Sequence, residues 1–394
     1  MGGKINIQEI IKDYDFNDVT IGVLGGHSAL DICHGAKKYG FKTLAICKKG
    51  REKTYAEYYK SSGEKGCVDE VMIVDEFSDI LNENLQKTLR EKNTIFIHNR
   101  YFWVYFNDFS QIENNFKVPI FGLREGVKLE ERDQPLNQYH LLSQAGIRIP
   151  KIVREGESRL SEEKSIDLMI EHFKTSQNPL IVKANEAIRT YERAFFVISD
   201  AGSYMLKKAE LISKRITTQE LIDKATIEEF IIGAQVNLNF FYSTLDNELE
   251  LMGTDSRRQT SLDGFLRLDA VTQSTLLENG FKPSMIETGH FAVTMKESLL
   301  EKAFEIGEKF VNIMKNKVAP GIIGPFALQG AVDCQKGREE FVIFDVSMRI
   351  PGSPGTKFTP YSGYLYGDSI SFGERIAMEL KKALEINRIK DILT

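Results

Sequence analysis

Near its C-terminal end the chain of 394 residues carries Gln329, Asp345 and Arg349 within GIIGPFALQGAVDCQKGREEFVIFDVSMRIPGSPG, residues 321–355. Two apolar runs, 326–333 and 341–350, flank a polar turn containing Gly337, the pattern of an antiparallel hairpin. Symmetric folding about Gly337 sets Gln329 opposite Asp345. Period-two alternation then places Asp345, Ser347 and Arg349 on one face and Val342, Phe344, Val346 and Met348 on the other. A carboxylate beside an amide oxygen, with a guanidinium two pleats away, can hold a divalent cation and the phosphates bound to it. The same alternation also describes the solvated face of an ordinary amphipathic hairpin.

Two further stretches have chemistry of the matching kind. An apolar run at 19–24 empties into Gly25-Gly26-His27-Ser28 at a helix start. Backbone N–H groups and the positive end of the helix dipole make an anion seat there. The spacing is not G-x-G-x-x-G, so a dinucleotide is not indicated. His27 is either a donor to a phosphate or carboxylate, or a capping and packing residue. Lys183 ends a short strand (PLIVK), and a second strand (RAFFVIS) follows a polar loop. IEEFIIGAQVNLNFFY then opens with Glu228 and Glu229, runs apolar through Ile231 and turns at Gly233. In outline this is a nucleotide clamp, with Lys183 reaching the phosphates and residues 229–232 lining base and ribose. A strand-end lysine alone is usually a solvated charge; it is the order of the pieces, ending in the hairpin, that points to nucleotide chemistry.

The elements that must hold these groups follow from the hydrophobic pattern. Apolar strands at 19–24, 42–47, 71–74 and 94–97 alternate with helical stretches at 28–39 and 81–91, the rhythm of an open parallel sheet. A join follows at FGLREGVK, then a helix at 137–146, with Pro150 forcing an extended exit. The expected fold class is α/β and α+β: a Rossmann-like domain over 1–125, then a second domain over 126–394 with a lid at about 178–232. A hydrophobic content of 42% and charged content of 27% describe an ordinary globular chain with cores of its own. Its net charge of -5 offers no basic footprint for nucleic acid. No apolar run reaches membrane-spanning length, and the first residues lack a signal-peptide pattern. Cys33, Cys47, Cys67 and Cys334 show no ligand spacing, so reduced thiols and a cytoplasmic location are expected.

The ordered set resembles the ATP-grasp ligases, and among them the archaeal formate-dependent ligases of 5-aminoimidazole-4-carboxamide ribonucleotide (AICAR), the PurP type. The likeness runs through LGGHSALDICHGAKKYGFKTLAICKKGREKTY, VPIFGLRE, AGIRIPK, IEEFIIG, FYSTLDNELELMGTDSR, TMKESLL, IIGPFALQ and SISFGERIAMEL. It implies a pre-ATP-grasp domain followed by an ATP-grasp domain. It also implies ATP-driven joining of formate to the 5-amino group of AICAR through formyl phosphate, giving FAICAR in purine (IMP) biosynthesis, with Mg2+ or Mn2+ as metal. The resemblance further implies a homo-oligomer whose substrates are small molecules, with no nucleic acid and no membrane. His27, with Ser28 beside it in the GGHS turn, falls on the AICAR site, Gln329 and Asp345 on the metal positions, Glu229 on the adenosine contact and Lys183 on the clamp lysine. Arg349 is the candidate catalytic cation.

Three departures stand out. Residues 184–194 (ANEAIRTYERA) contain no glycine where the family's phosphate loop is glycine-rich, leaving Arg189 and Arg193 to supply charge. His98-Asn99-Arg100-Tyr101 replaces a small turn, so Tyr101 stands where a serine would meet substrate. Ser261 replaces a pocket asparagine, with Arg257 and Arg258 nearby as candidate phosphate partners or simply an exposed basic turn. These changes leave open the same machinery on another amine or carboxylate, or a nucleotide-binding paralogue without catalysis.

Overall fold

The computed structural model describes residues 5–106, 108–131, 134–156, 160–176, 178–183, 195–334 and 337–394. Strands β1 (Thr20–Leu24), β2 (Lys42–Lys48), β3 (Glu70–Val74), β4 (Thr94–Ile97) and β5 (Ile120–Phe121) form a parallel sheet in the order β3-β2-β1-β4-β5. Every residue of β1 is buried, as a strand covered on both faces must be, which explains its unbroken apolar run. Phe102 and Phe106, from the aromatic stretch after β4, are buried with Phe96 and Phe116 in the core behind this sheet.

A second sheet is antiparallel: β6 (Ile152–Arg154), β7 (Leu180–Lys183), β8 (Phe195–Ile198) and β9 (Thr226–Glu229), ordered β6-β9-β7-β8. The third, also antiparallel, is built from β10 (Ala234–Ser243), β11 (Glu248–Ser261), β12 (Met285–Val293), β13 (Gly324–Asp333) and β14 (Glu340–Ser347) in the order β12-β11-β10-β13-β14. One face carries Leu238, Phe240, Phe326 and Leu328 into a core shared with the helix Glu297–Lys317. The other face carries the polar side chains described below.

The hairpin of β13 and β14 pairs Gln329 with Asp345, the register expected from symmetry about Gly337. The face assignment needs correction. The register slips after Gln329, because Gly330 pairs with Ile343 and Phe344 is left as an extra residue, a β-bulge. The bulge reverses the alternation, so Phe341, Ile343, Val346 and Met348 lie in the core while Val342 and Phe344 share the outer side with Ala331 and Ile231. Strand β14 also ends at Ser347, three residues short of the apolar run.

The C-terminal segment, grouped by sequence with the second domain, shares the core of the first. Phe372, Ile376, Leu380, Ile392 and Leu393 pack with Ile21, Val23, Ile32 and Ile95. Thr394 exchanges backbone hydrogen bonds with Ile120 at 3.0 and 2.9 Å. Buried Arg124 donates to the carbonyls of Phe116 at 2.8 Å, Val118 at 2.9 Å and Thr394 at 2.6 Å, tying the tail to the join. The helix Phe372–Glu385 crosses the helix Ala29–Lys38 at two glycines. A Cβ on Gly373 would lie 1.9 Å from the Asp31 carbonyl oxygen, and one on Gly35 2.0 Å from the Gly373 carbonyl carbon.

Backbone atoms cannot rotate aside, so Gly373→Ala should force the two helices apart. A loss of roughly 1–3 kcal/mol in urea-unfolding free energy is expected. An unchanged unfolding midpoint would show that the crossing tolerates a methyl group.

Candidate active site

The third sheet places four polar residues in one line across four strands. Asp255 of β11 pairs with Asn237 of β10, Asn237 with Gln329 of β13, and Gln329 with Asp345 of β14. Alternation explains the line: in VNLNF, Val236 and Leu238 turn to the core while Asn237 and Asn239 turn to the polar face. Asp255 accepts hydrogen bonds from Asn237 Nδ2 at 2.9 Å and Asn239 Nδ2 at 2.5 Å. His290 of β12 pairs through Nδ1 with the same carboxylate and through Nε2 with Glu287 at 3.0 Å. Burial opposes charge on His290, but the bonds to Asp255 and Glu287 outweigh it and raise its pKa to about 9. Burial likewise pushes Glu287 up, and the bond from His290 and the Arg257 charge overcome it, bringing Glu287 down to about 2.

Arg257 continues this chain of charges. Its Nε lies 3.3 Å from Glu287 Oε2, while Nη2 donates to Gln329 Oε1 and sits 3.9 Å from Asp345 Oδ2. Gln329 is oriented by its amide, which donates to Ser347 Oγ at 3.0 Å and so turns the oxygen towards the cation. A cavity of about 50 Å3 beside these groups is lined by Gln235, Asn237, Arg257, Gln259, Gln329 and Phe344.

The polar face meets the carboxyl end of β1. Asn99 Nδ2 donates to the carbonyls of Leu24 and His27, both at 3.0 Å, which fixes the glycine turn. Ser28 adopts φ 67° as the residue preceding the helix, and its hydroxyl donates to the Pro351 carbonyl at 2.8 Å. That hydroxyl joins the turn to the loop after β14 rather than facing a substrate. His27 reaches the same loop, and a Cβ on Gly352 would lie 1.9 Å from its Cε1. Burial, then the charges of Arg349 and Arg100, hold His27 down at about 3, so the imidazole is neutral at physiological pH. Its buried Nδ1 makes no hydrogen bond. Tyr101 lays its ring on Gly26, where a Cβ would come within 2.0 Å of ring carbon. It is therefore a wall of the glycine turn, packed at a tilt against Phe77 and edge-on against Tyr105.

Arg349 is buried at this junction. Nη1 donates to the Ile350 carbonyl at 3.2 Å, Nη2 lies 3.6 Å from Glu130 Oε2, and Nε makes no hydrogen bond among the described residues. Glu130 accepts from the Met348 N–H at 2.6 Å, and burial raises it to about 7 despite Arg349.

On the second sheet, Lys183 pairs with buried Glu228, which also accepts from Tyr139 at 3.0 Å. Glu229 accepts from Asn178 Nδ2 at 2.7 Å and Ser176 Oγ at 3.3 Å, so its carboxylate is held against the loop before β7. Ile231 is buried against Ala331 and Val342, docking this sheet onto the hairpin. Two expected contacts are not brought to the line of polar groups. Arg258 alternates to the other side of β11, over the Phe291 ring at 5.2 Å. Ser261 closes a local turn, accepting from the Ser284 N–H at 2.6 Å. Arg189 and Arg193 lie outside the described residues.

Sequence reading missed Asp255, Glu287, His290 and Glu130. Asp255 and Arg257 were findable as an i, i+2 charged pair beside the NLN alternation; the other three become site residues only through packing. Another cavity, about 260 Å3 and lined by Phe16, Tyr39, Lys42, Lys381 and Leu384, opens at the amino ends of β1 and β2, opposite the glycine turn.

Among the described residues no group of three or more histidine, cysteine or acidic side chains could hold a metal alone. The donors that are present fit a different kind of site. Gln329 Oε1 and the Asp345 carboxylate face one cation already, the Arg257 guanidinium. Two oxygen ligands suit Mg2+ or Mn2+ completed by phosphate oxygens and water, as hard cations in nucleotide sites commonly are.

Comparison with known proteins follows this geometry. Residues 21–153 match the family described as "Protein of unknown function (DUF1246)", and residues 203–394 the one described as "Domain of unknown function (DUF1297)". The chain is 35% identical to the 5-formaminoimidazole-4-carboxamide-1-(beta)-D-ribofuranosyl 5'-monophosphate synthetase of Methanocaldococcus jannaschii, covering 100% of both. It is 37% identical to the synthetase of the same name from Methanococcus aeolicus, again over 100% of both chains. The crystal structure of an IMP biosynthesis protein PurP from Thermococcus kodakaraensis superposes with TM-score 0.67 at 26% identity, covering 95% of this chain and all of that one. The ADP complex of N5-carboxyaminoimidazole synthetase from Staphylococcus aureus, at 14% identity and TM-score 0.52 over 89% of this chain and 78% of that one, shows the fold alone. That fold is the ATP-grasp fold behind a Rossmann-like sheet.

The His290 cluster gives a pH signature. A histidine raised on folding contributes its stabilisation fully below the unfolded value of about 6.5 and loses it as pH rises through the folded value. The stability difference between the native chain and His290→Asn should therefore be largest at pH 6 and shrink between pH 6.5 and about 9. A difference flat across that window would mean that His290 is not held as a cation.

Proposed function

This chain belongs to the family of 5-formaminoimidazole-4-carboxamide ribonucleotide synthetases, and from that premise we propose that it joins formate to the 5-amino group of AICAR at the expense of ATP. A formate oxygen attacks the γ-phosphorus, the bridging P–O bond breaks, and ADP leaves. The amine nitrogen then attacks the carbonyl carbon of formyl phosphate, the C–O bond to phosphate breaks, and the nitrogen gives up a proton. The products are FAICAR, ADP and phosphate. The observation that carries the reading is Gln329 directly opposite Asp345, in the hairpin register, in a chain of this family.

The residues divide the work by position. Gln329 and Asp345 would hold a divalent cation, which would supply charge neutralisation at the triphosphate. Lys183 exchanges Glu228 for phosphate oxygens when nucleotide enters, and the backbone of Glu228 through Ile231 lines the adenosine. The unpartnered Nε of buried Arg349 donates to the oxygens of the transferred phosphoryl group, and Glu130 keeps the guanidinium in place. Neutral His27 donates one N–H to AICAR at the glycine turn without adding charge. Tyr101 walls that turn, and Ile231 with Phe344 closes the apolar side, which keeps water from the acyl phosphate.

An assay with ATP, formate and AICAR, each omitted in turn, tests the reading. ADP release should require formate, and FAICAR should require all three; formate-independent turnover on another amine would replace it. Asp345→Ala should lower ADP formation by roughly a hundredfold or more while leaving the melting curve intact. His27→Asn should raise the KM for AICAR far more than that for ATP, and equal losses would assign His27 to the contact between the glycine turn and the Gly352 loop.

A further inference from the structure

The polar face holds its own cation where the nucleotide's metal belongs. Arg257 Nη2 bonds Gln329 Oε1 and lies 3.9 Å from Asp345 Oδ2, so one guanidinium spans both proposed metal ligands. The other edge of the same group, Nε, is 3.3 Å from Glu287 but makes no hydrogen bond. Glu287 is in turn fixed by His290 at 3.0 Å, and His290 by Asp255 and its two asparagines. Arg257 is thus suspended between two anionic stations. One is the hairpin pair; the other is a carboxylate anchored three residues deep in the sheet. Its side chain is about one-third exposed.

We propose that Arg257 is an exchangeable counter-ion: it holds Gln329 and Asp345 in liganding register until a divalent cation displaces it, and the Asp255–His290–Glu287 chain receives the guanidinium when it leaves. Displacement converts a loose ion pair with Glu287 into a full one and points the freed Nη2 at the phosphates that arrive with the metal. The device keeps a positive charge between the two oxygen ligands of the hairpin, and it makes metal binding competitive with that built-in charge. This inference rests on reading Gln329 and Asp345 as metal ligands.

Binding of Mn2+ alone to the full-length chain, read from the electron paramagnetic resonance signal of free Mn2+, tests it without turnover. Arg257→Met removes the competitor and should tighten Mn2+ binding roughly tenfold. Glu287→Gln removes the receiving carboxylate, leaves the guanidinium only the hairpin, and should weaken binding. Changes of opposite sign in these two proteins support the exchange; no change, or changes of the same sign, overturn it. If Arg257→Met does not fold, a Glu287→Gln protein that binds Mn2+ as tightly as the native chain overturns the exchange by itself. Asp345→Asn separates the two readings. If it abolishes Mn2+ binding while Arg257→Met changes nothing, the metal site stands and the exchange falls. If it leaves Mn2+ binding unaltered, the liganding role of Asp345 falls as well.

Discussion

Asp255 is buried beneath a histidine and takes hydrogen bonds from two asparagines, and the placing of that one satisfied carboxylate organises the rest of the polar face. An ionised group inside a sheet is tolerated only when every neighbour is in position, because an unpaired charge there would cost several kcal/mol. Asn237 and Asn239 must therefore alternate outward on β10, and His290 must stand opposite Arg257 on β12. Glu287 then follows His290, and Arg257 follows Glu287. The pairing register carries the same line on to Gln329 and Asp345. Gln329 and Asp345 of the hairpin are thus the far end of a polar network that begins on β11, three strands from β14.

The second organising feature is the return of the chain to its starting point. The helix Phe372–Glu385 and the last residues complete the core of the first sheet. The loop at Pro351–Ser353 is thereby held against His27 and Ser28 at the carboxyl end of β1. That is the place where open α/β sheets bind ligands. The glycine turn and the β13–β14 hairpin are consequently parts of one wall, with Arg349 buried between them. A reaction that passes an acyl phosphate from one substrate to the other needs this arrangement, since the intermediate must meet the amine before water does.

Much of this was legible in the chain itself. Apolar runs and the helical stretches between them located β1 to β4, β7, β8, β10, β13 and β14, and the position of Gly337 gave the pairing of Gln329 with Asp345; β11 and β12, which carry Asp255, Arg257, Glu287 and His290, were not read as strands. Phe344 shows where that reasoning stops, because a bulge adds one residue to one strand and nothing local in FVIFDV announces it. Arg258 leaves the polar line because adjacency to Arg257 in sequence means opposite sides of a strand, and Ser261 lies beyond the register shift between Arg258 and Gln259, at the end of β11. Glu130, Glu287 and His290 stay ordinary surface types until packing buries them, so their roles reside in contacts between distant segments. His27 was readable as a candidate from GGHS, but its lowered pKa depends first on burial and then on the charges of Arg349 and Arg100, which the fold alone brings about.

The central claim is that the register of one hairpin creates a cation site on the polar face of the third sheet. A crystal of the chain grown with Mn2+ and ADP, measured at the manganese edge, addresses it directly. The account predicts an anomalous peak roughly 2 Å from both Gln329 Oε1 and an Asp345 carboxylate oxygen, bridging to the diphosphate. A peak on the nucleotide that is remote from both side chains would contradict it.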